Sequence, residues 1–263
     1  MLEFYQHIRF FRVFYCIEVN NRYRRNMDKS QVKSKKRVTD HGEVFTAERE
    51  VKAMCDLVKD ETERIDSRFL EPACGNGNFL AEIVARKLSV VKSKYGKSKA
   101  DFEKNSFLAM TSIYGVDILL DNCIECRKRL FSIWSDFYKS TCKTFPDEEI
   151  SAVIAFILDR NIVCGNALSL CKVSENGIDT DEPIVFSEWS FVTSLKIKRR
   201  DFRLDVLLKE NEDASMYDTQ LSLFGDDANG MEYWMIDPVT KETIPKPIKE
   251  FPIVHYRKVL SNE

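Results

Sequence analysis

Histidine is nearly missing from this chain: three occur in 263 residues, at 7, 41 and 255, too far apart to form a ligand set. The eight cysteines, at 16, 55, 74, 123, 126, 142, 164 and 171, lack the regular spacing of a disulfide framework, and a chain of this length needs no such staples. A reducing, cytoplasmic setting is the expectation. Cys123-Ile-Glu-Cys126 is the only Cys-x-x-Cys, with no second pair to complete a zinc site, so it reads as two helix-borne thiols and no metal is expected. Long uncharged apolar runs are also missing, which excludes a bilayer-spanning segment and leaves no membrane partner. Even the aromatic cluster of the first 26 residues, with Phe4, Tyr5, Phe10, Phe11, Phe14 and Tyr15, is interrupted by Arg9 and Arg12 and followed by no small-residue cleavage site. It reads as a loosely docking extension or as a basic amphipathic arm for a membrane or partner. Neither sign of charge predominates, since 40 basic and 42 acidic residues give −2, so only local patches can bear on a nucleic-acid partner.

What is present suffices for a sizeable core, because 44% of the residues are hydrophobic. Residues 1–27 are an extension, 28–190 the main domain and 191–263 an irregular region. Val51, Met54, Cys55, Leu57 and Val58 recur at helical spacing, predicting a helix capped by Thr46 that runs to about Glu63. Arg68–Glu71 predicts a strand and 79–93 a helix; 92–105 reads as a charged connector. Ser112–Ile118 predicts a second strand, then helices over 121–139 and 147–159, a third strand over 161–164 and a fourth over 183–186. Strand alternating with helix is the signature of a doubly wound α/β sheet. Beyond about residue 190 the pattern weakens. Lys196, Lys198, Arg199, Arg200 and Arg203 form the densest basic cluster, readable as a solvated face or as a phosphate contact, and a loop rich in Gly, Asp and Asn spans 225–230.

The stretch Phe69-Leu-Glu-Pro-Ala-Cys-Gly-Asn-Gly-Asn-Phe-Leu80 carries the most chemistry. A strand, a glycine turn and a helix form a cofactor cradle, because glycine lets backbone approach the ligand and the helix N-terminus offers free N–H groups. A dinucleotide site would need a third glycine where Leu80 stands, and a phosphate loop would need Gly-Lys-Ser/Thr. Glu71, ahead of the turn, suits a cationic ligand such as the amino end of S-adenosylmethionine, and Asp117 at the next strand end could accept from ribose hydroxyls. The bland alternative is a turn that only packs strand on helix.

"VFTAEREV" at 44–51, "FLEPACGNGNFL" at 69–80, "IYGVDI" at 113–118 and "NIVCGNAL" at 161–168 resemble, in order, the successive motifs of the N6-adenine DNA methyltransferases of Type I modification subunits and fused Type II enzymes. The resemblance covers roughly 38–190. It implies a Rossmann-like class I S-adenosylmethionine-dependent methyltransferase sheet flanked by helices, with S-adenosylmethionine as cofactor and DNA as partner. Phe45 and Thr46 would lie against the methionine end. Glu71, Pro72, Ala73, Cys74, Gly75, Gly77, Asn78 and Phe79 would wrap its amino-acid portion. Asp117 would bind the ribose, Ile118 would pack on the adenine, and Asn166, beside Ala167, stands where the family usually has an aspartate accepting from the adenine N6 amino group.

That family holds a flipped adenine with Asn/Asp-Pro-Pro-Tyr/Phe/Trp at the end of the fourth strand. No such tetrapeptide occurs here. Its place is taken by Ile184-Val-Phe-Ser-Glu-Trp189, where Ser187, Glu188 and Trp189 offer an acceptor and a ring without the proline-enforced geometry; a core tryptophan beside a surface glutamate is the alternative, and the catalytic residues stay unassigned. Asp237-Pro238-Val239 reads as a turn. Residues 190–263 leave little room for target recognition, so a second polypeptide is expected to supply the base pocket. The competing expectations are an inactive S-adenosylmethionine-binding pseudo-methyltransferase and a methyltransferase for RNA, protein or a small molecule.

Overall fold

The computed structural model describes Lys33, Ser34, Arg37 and residues 45–174, 177–208, 233–238 and 240–262. The aromatic cluster of 1–26, His7, His41 and the 225–230 loop lie outside the described residues. The elements in chain order are α1 Glu48–Leu57, α2 Lys59–Thr62, β1 Phe69–Glu71, α3 Asn78–Tyr95, α4 Lys99–Thr111, β2 Ile113–Asp117, α5 Leu120–Cys142, α6 Glu148–Asn161 and β3 Ile162–Asn166. They continue with β4 Cys171–Val173, β5 Asp179–Pro183, β6 Val185–Phe191, β7 Lys196–Arg203, α7 Leu204–Leu207, β8 Trp234–Ile236, β9 Thr243–Pro245, β10 Lys249–Glu250, β11 Val254–His255 and a 3-10 segment, Tyr256–Asn262.

The first sheet is mixed, in the order β1-β2-β3-β4-β5. β1, β2 and β3 are parallel, joined by helical crossovers, while β4 and β5 return antiparallel. β2 is buried at all five positions because both its faces are covered. Ile113 joins the helix-side core with Leu80, Val84, Leu88, Leu130 and Trp134, and Tyr114 and Val116 point the other way, into a cluster with Ile184, Phe186 and Leu204. One face therefore packs on helices and the other on the β6–β7 hairpin, where Tyr114 donates to the Ser187 carbonyl at 2.9 Å. At the base of the sheet, Lys87 is fully buried and donates to the Ile65 carbonyl (3.2 Å) and Ser112 Oγ (2.6 Å), tying the entry of β1 to that of β2.

Helix starts follow local chemistry. Asp147 caps α6, accepting from the Ile150 N–H at 3.0 Å, and Ser98 caps α4, accepting from the Asp101 N–H at 3.3 Å. The predicted charged connector is thus mostly helix. Its buried face includes Glu103 and Ser106, which hide the apolar period: Glu103 accepts from Tyr138 and Tyr256 hydroxyls and from Arg257, and Ser106 from Trp134 Nε1. The first helix also differs, since Ala47 and not Thr46 stands at the cap and the helix breaks at Val58.

The largest correction concerns the region expected to be irregular. β6 and β7 pair over seven residues from Val185↔Arg203 to Phe191↔Ile197, so a continuous hairpin crosses the boundary drawn at 190. β7 is the centre of a second sheet, with β10 and β11 antiparallel along its other edge. Its inward positions carry Arg199 and Asp201 in place of apolar residues, which disguises the strand alternation. As expected, Asp237 forms a turn: it links β8 to β9, its carboxylate accepting from the Thr240 N–H at 3.0 Å.

Candidate functional site

The carboxyl ends of β1, β2 and β3 bring Glu71, Asp117 and Asn166 to one edge of the sheet. Ligands of open α/β sheets bind at such an edge. Between β1 and α3 the backbone reverses through Gly75 (φ 51°) and Gly77 (φ 86°), the left-handed region that side chains disfavour. A Cβ on Gly77 would lie 2.7 Å from Cys126 Sγ, and one on Gly75 would lie 3.0 Å from the Phe45 ring. The turn is therefore close-packed below by α5 and above by Phe45. Asn78 Nδ2 donates to the Thr46 carbonyl at 3.1 Å, fixing the Phe45–Thr46 segment over the turn.

Asp117 braces this turn directly. One carboxylate oxygen accepts from the Gly75 N–H at 2.8 Å, and the other from the Leu119 N–H at 2.9 Å and Asn122 Nδ2 at 3.2 Å. Asn122 and Asp121, on the first turn of α5, in turn receive Lys33 and Arg37 from the preceding arm. Lys33 also pairs with Glu125 at 2.8 Å.

Glu71 has no cation to offset its burial among the described residues. Burial pushes its carboxyl up to about 7, against a single opposing influence, a hydrogen bond from the Ala73 backbone. In the same turn, Asn76 Oδ1 is buried with no hydrogen-bond partner. An uncompensated carboxyl and an orphaned acceptor beside a glycine cradle suit a ligand that brings donors and positive charge. Asn76 was not among the residues singled out from the sequence, although it stands between the two glycines that were. Pro72 and Phe79 are partly buried, Ala73 exposed, and Ile118 and Ala167 partly buried at the ends of β2 and β3. Cys74 is buried, its thiol pushed up by a hydrogen bond with Cys126 and by burial, so it acts as packing beneath the turn.

Asn166 is engaged locally. Its Oδ1 accepts from the Leu168 N–H at 2.9 Å, and its Nδ2 donates to both Asp179 carboxylate oxygens at 3.0 Å. This pins β3 to the start of β5 and leaves one acceptor lone pair for a ligand amine.

Ser187, Glu188 and Trp189 are buried, not presented at the site edge. Ser187 Oγ donates to Asp201 at 2.7 Å and accepts from Arg199 Nε at 3.1 Å. Glu188 lies between Arg68 Nη2, at 3.1 Å, and Arg200. Trp189 Nε1 donates to Asn161 at 3.2 Å, with its ring edge-on to Phe156. The tryptophan is thus core, as one expectation had it, whereas the glutamate is interior and not surface. The basic cluster dissolves by the same contacts: Arg199 pairs with Asp201 at 3.0 Å, Arg200 with Glu188, Lys198 with Glu250 at 2.6 Å and Arg203 with Asp205 at 2.7 Å. Four of its five members are thus held in ion pairs, while Lys196 is exposed and makes no ion pair among the described residues.

Among the described residues no group of three or more His, Cys, Asp or Glu is placed to hold a metal, and no helix is long and apolar enough to cross a membrane. No family model, curated protein or solved structure matches the chain.

Proposed function

We propose that the chain is the S-adenosylmethionine-binding component of a DNA adenine-N6 methyltransferase, acting in a restriction-modification or phage-defence system with a partner polypeptide that supplies the base pocket. The observation that carries this reading is that Glu71, a largely buried carboxyl without a counter-charge among the described residues, and the partnerless Asn76 Oδ1 stand in one left-handed glycine turn. The cofactor's α-ammonium is a donor of the required charge, and the turn's N–H groups can receive its carboxylate. The parallel β1-β2-β3 order, with helices on one face and the acids at the carboxyl edge, accords with the sheet of a Rossmann-like class I methyltransferase.

Phe45 and Thr46 would close over the methionine end, Glu71 through Phe79 would hold the amino-acid portion, Asp117 and Ile118 the ribose and adenine, and Asn166 with Ala167 the far edge of the adenine. When bound, the cofactor supplies an electrophilic methyl group. Asp117 already accepts from Gly75 of the turn and from Leu119 and Asn122 at the start of α5, so a ribose would share a carboxylate that already organises the cradle.

Burial of Ser187, Glu188 and Trp189 favours a chain that lacks its own base-holding residues. The same observation favours the second reading, a pseudo-methyltransferase that binds the cofactor without transferring its methyl group. Transfer of tritiated methyl groups separates them. The isolated chain should leave duplex DNA unlabelled, and a partner bearing Asn-Pro-Pro-Tyr should restore labelling of adenine. Robust labelling by the isolated chain would overturn the two-component reading.

A further inference from the structure

At the end of α3 remote from the glycine turn, about 27 Å along an 18-residue helix, three helix ends meet in a lysine-rich corner. Residues 92–99 contain Lys92, Lys94, Lys97 and Lys99 and no acid, and 139–145 contain Lys139 and Lys143 and no acid. Contacts join the two segments: Lys92 Nζ donates to Ser140 Oγ at 3.3 Å, and Lys99 Nζ lies 5.9 Å from the centre of the Tyr138 ring. All six lysines are exposed, and none makes an ion pair among the described residues. Exposed acids stand at the margins of the corner, Asp101, Asp136 and Glu148, while Asp147 and Glu149 are paired with Arg257 and Lys258.

The helix dipole accounts for Lys92 and Lys94 in the last turn of α3 and for Lys139 in that of α5. It does not account for Lys97, just before the α4 cap, or Lys99, the first residue of α4, where positive charge opposes the dipole. Asp101 in that first turn meets the dipole, but Lys97 and Lys99 stay without an ion pair among the described residues, which suits an anionic ligand. Beside the lysines stands Phe145, 67% exposed, with Lys139 Nζ 4.1 Å from its ring centre. A ring supported by a cation and left open to solvent offers a stacking surface for an unpaired base.

We propose that this corner binds single-stranded nucleic acid, the lysines neutralising backbone phosphates while Phe145 stacks on a base. The proposal does not depend on the cofactor site and is tested without cofactor. Fluorescence anisotropy of a labelled oligothymidylate, titrated over a salt series, reads it. Binding should weaken with salt, and the combined Lys94→Glu, Lys97→Glu, Lys99→Glu variant should lower the log–log salt slope by about 2, since each single-strand phosphate that a lysine neutralises adds about 0.7 to it. Phe145→Ala should weaken binding roughly tenfold or more and leave the slope unchanged. Thermal unfolding matching the wild type establishes that both variants are folded; were the triple variant unfolded, Phe145→Ala alone would decide. Absence of binding at low salt, binding indifferent to both variants, duplex bound as tightly with or without Phe145, or association only with phosphatidylserine vesicles would each overturn the proposal.

Discussion

Replacing Glu71 by glutamine should stabilise the protein and weaken its cofactor binding, both effects growing as pH rises. In the fold the Glu71 carboxyl is pushed from 4.5 up to about 7, because burial disfavours the charge and only the Ala73 N–H offsets it. A shift of roughly 2.5 units corresponds to about 3 kcal/mol between the protonation states. The folded state holds the proton more tightly than the unfolded chain, so stability from this group is complete below pH 4.5, falls as pH rises, and is lost above about 7. Glutamine keeps the shape and the acceptor for Ala73 without titrating. Urea denaturation of wild type and Glu71→Gln should therefore show near-equal stability close to pH 4.5 and a gain for the variant approaching about 3 kcal/mol at pH 8. An equal difference at both pH values, or a variant less stable at pH 8, would refute the assignment of an uncompensated buried carboxyl.

Three further substitutions probe the surrounding contacts. Asp117→Ala should lower cofactor affinity by about 1–3 kcal/mol in calorimetry, because it removes a charged acceptor and releases the Gly75 N–H. The sequence alone predicts that Asn166→Asp tightens cofactor binding by restoring the family's acid; with Asp179 at 3.0 Å it should instead destabilise the β3–β5 contact, and adding Asp179→Asn should restore thermal stability. Glu188→Ala should cost about 3–5 kcal/mol in denaturation experiments by removing the carboxylate that Arg200 and Arg68 share, with no requirement that it touch substrate.

Where burial is apolar, the elements were legible. The stripe Leu80, Ile83, Val84 and Leu88 marks α3, and the glycines of 69–80 mark a turn that does adopt left-handed geometry. Where polar groups are buried in pairs, periodicity misleads, because it scores hydrophobicity and not satisfaction of charge. Glu103 and Ser106 hid α4 in this way, and Arg199 and Asp201 hid β7. The basic cluster was visible as composition, but the pairing of Arg200 with Glu188 and of Lys198 with Glu250 crosses strands, and the pairing of Arg199 with Asp201 and of Arg203 with Asp205 depends on local extended geometry, neither of which composition encodes. The strand ends carrying Glu71, Asp117 and Asn166 were readable in order, whereas the engagement of Asn166 by Asp179 and the partnerless Asn76 Oδ1 required coordinates.

Isothermal titration of the folded chain with S-adenosylmethionine, at pH 6 and pH 8, tests the central claim most directly. The account predicts saturable binding that tightens from pH 6 to pH 8 as Glu71 ionises, with proton release on binding near pH 7 and both effects lost in Glu71→Gln. No heat with S-adenosylmethionine or its demethylated product, from protein shown to be folded, would contradict it.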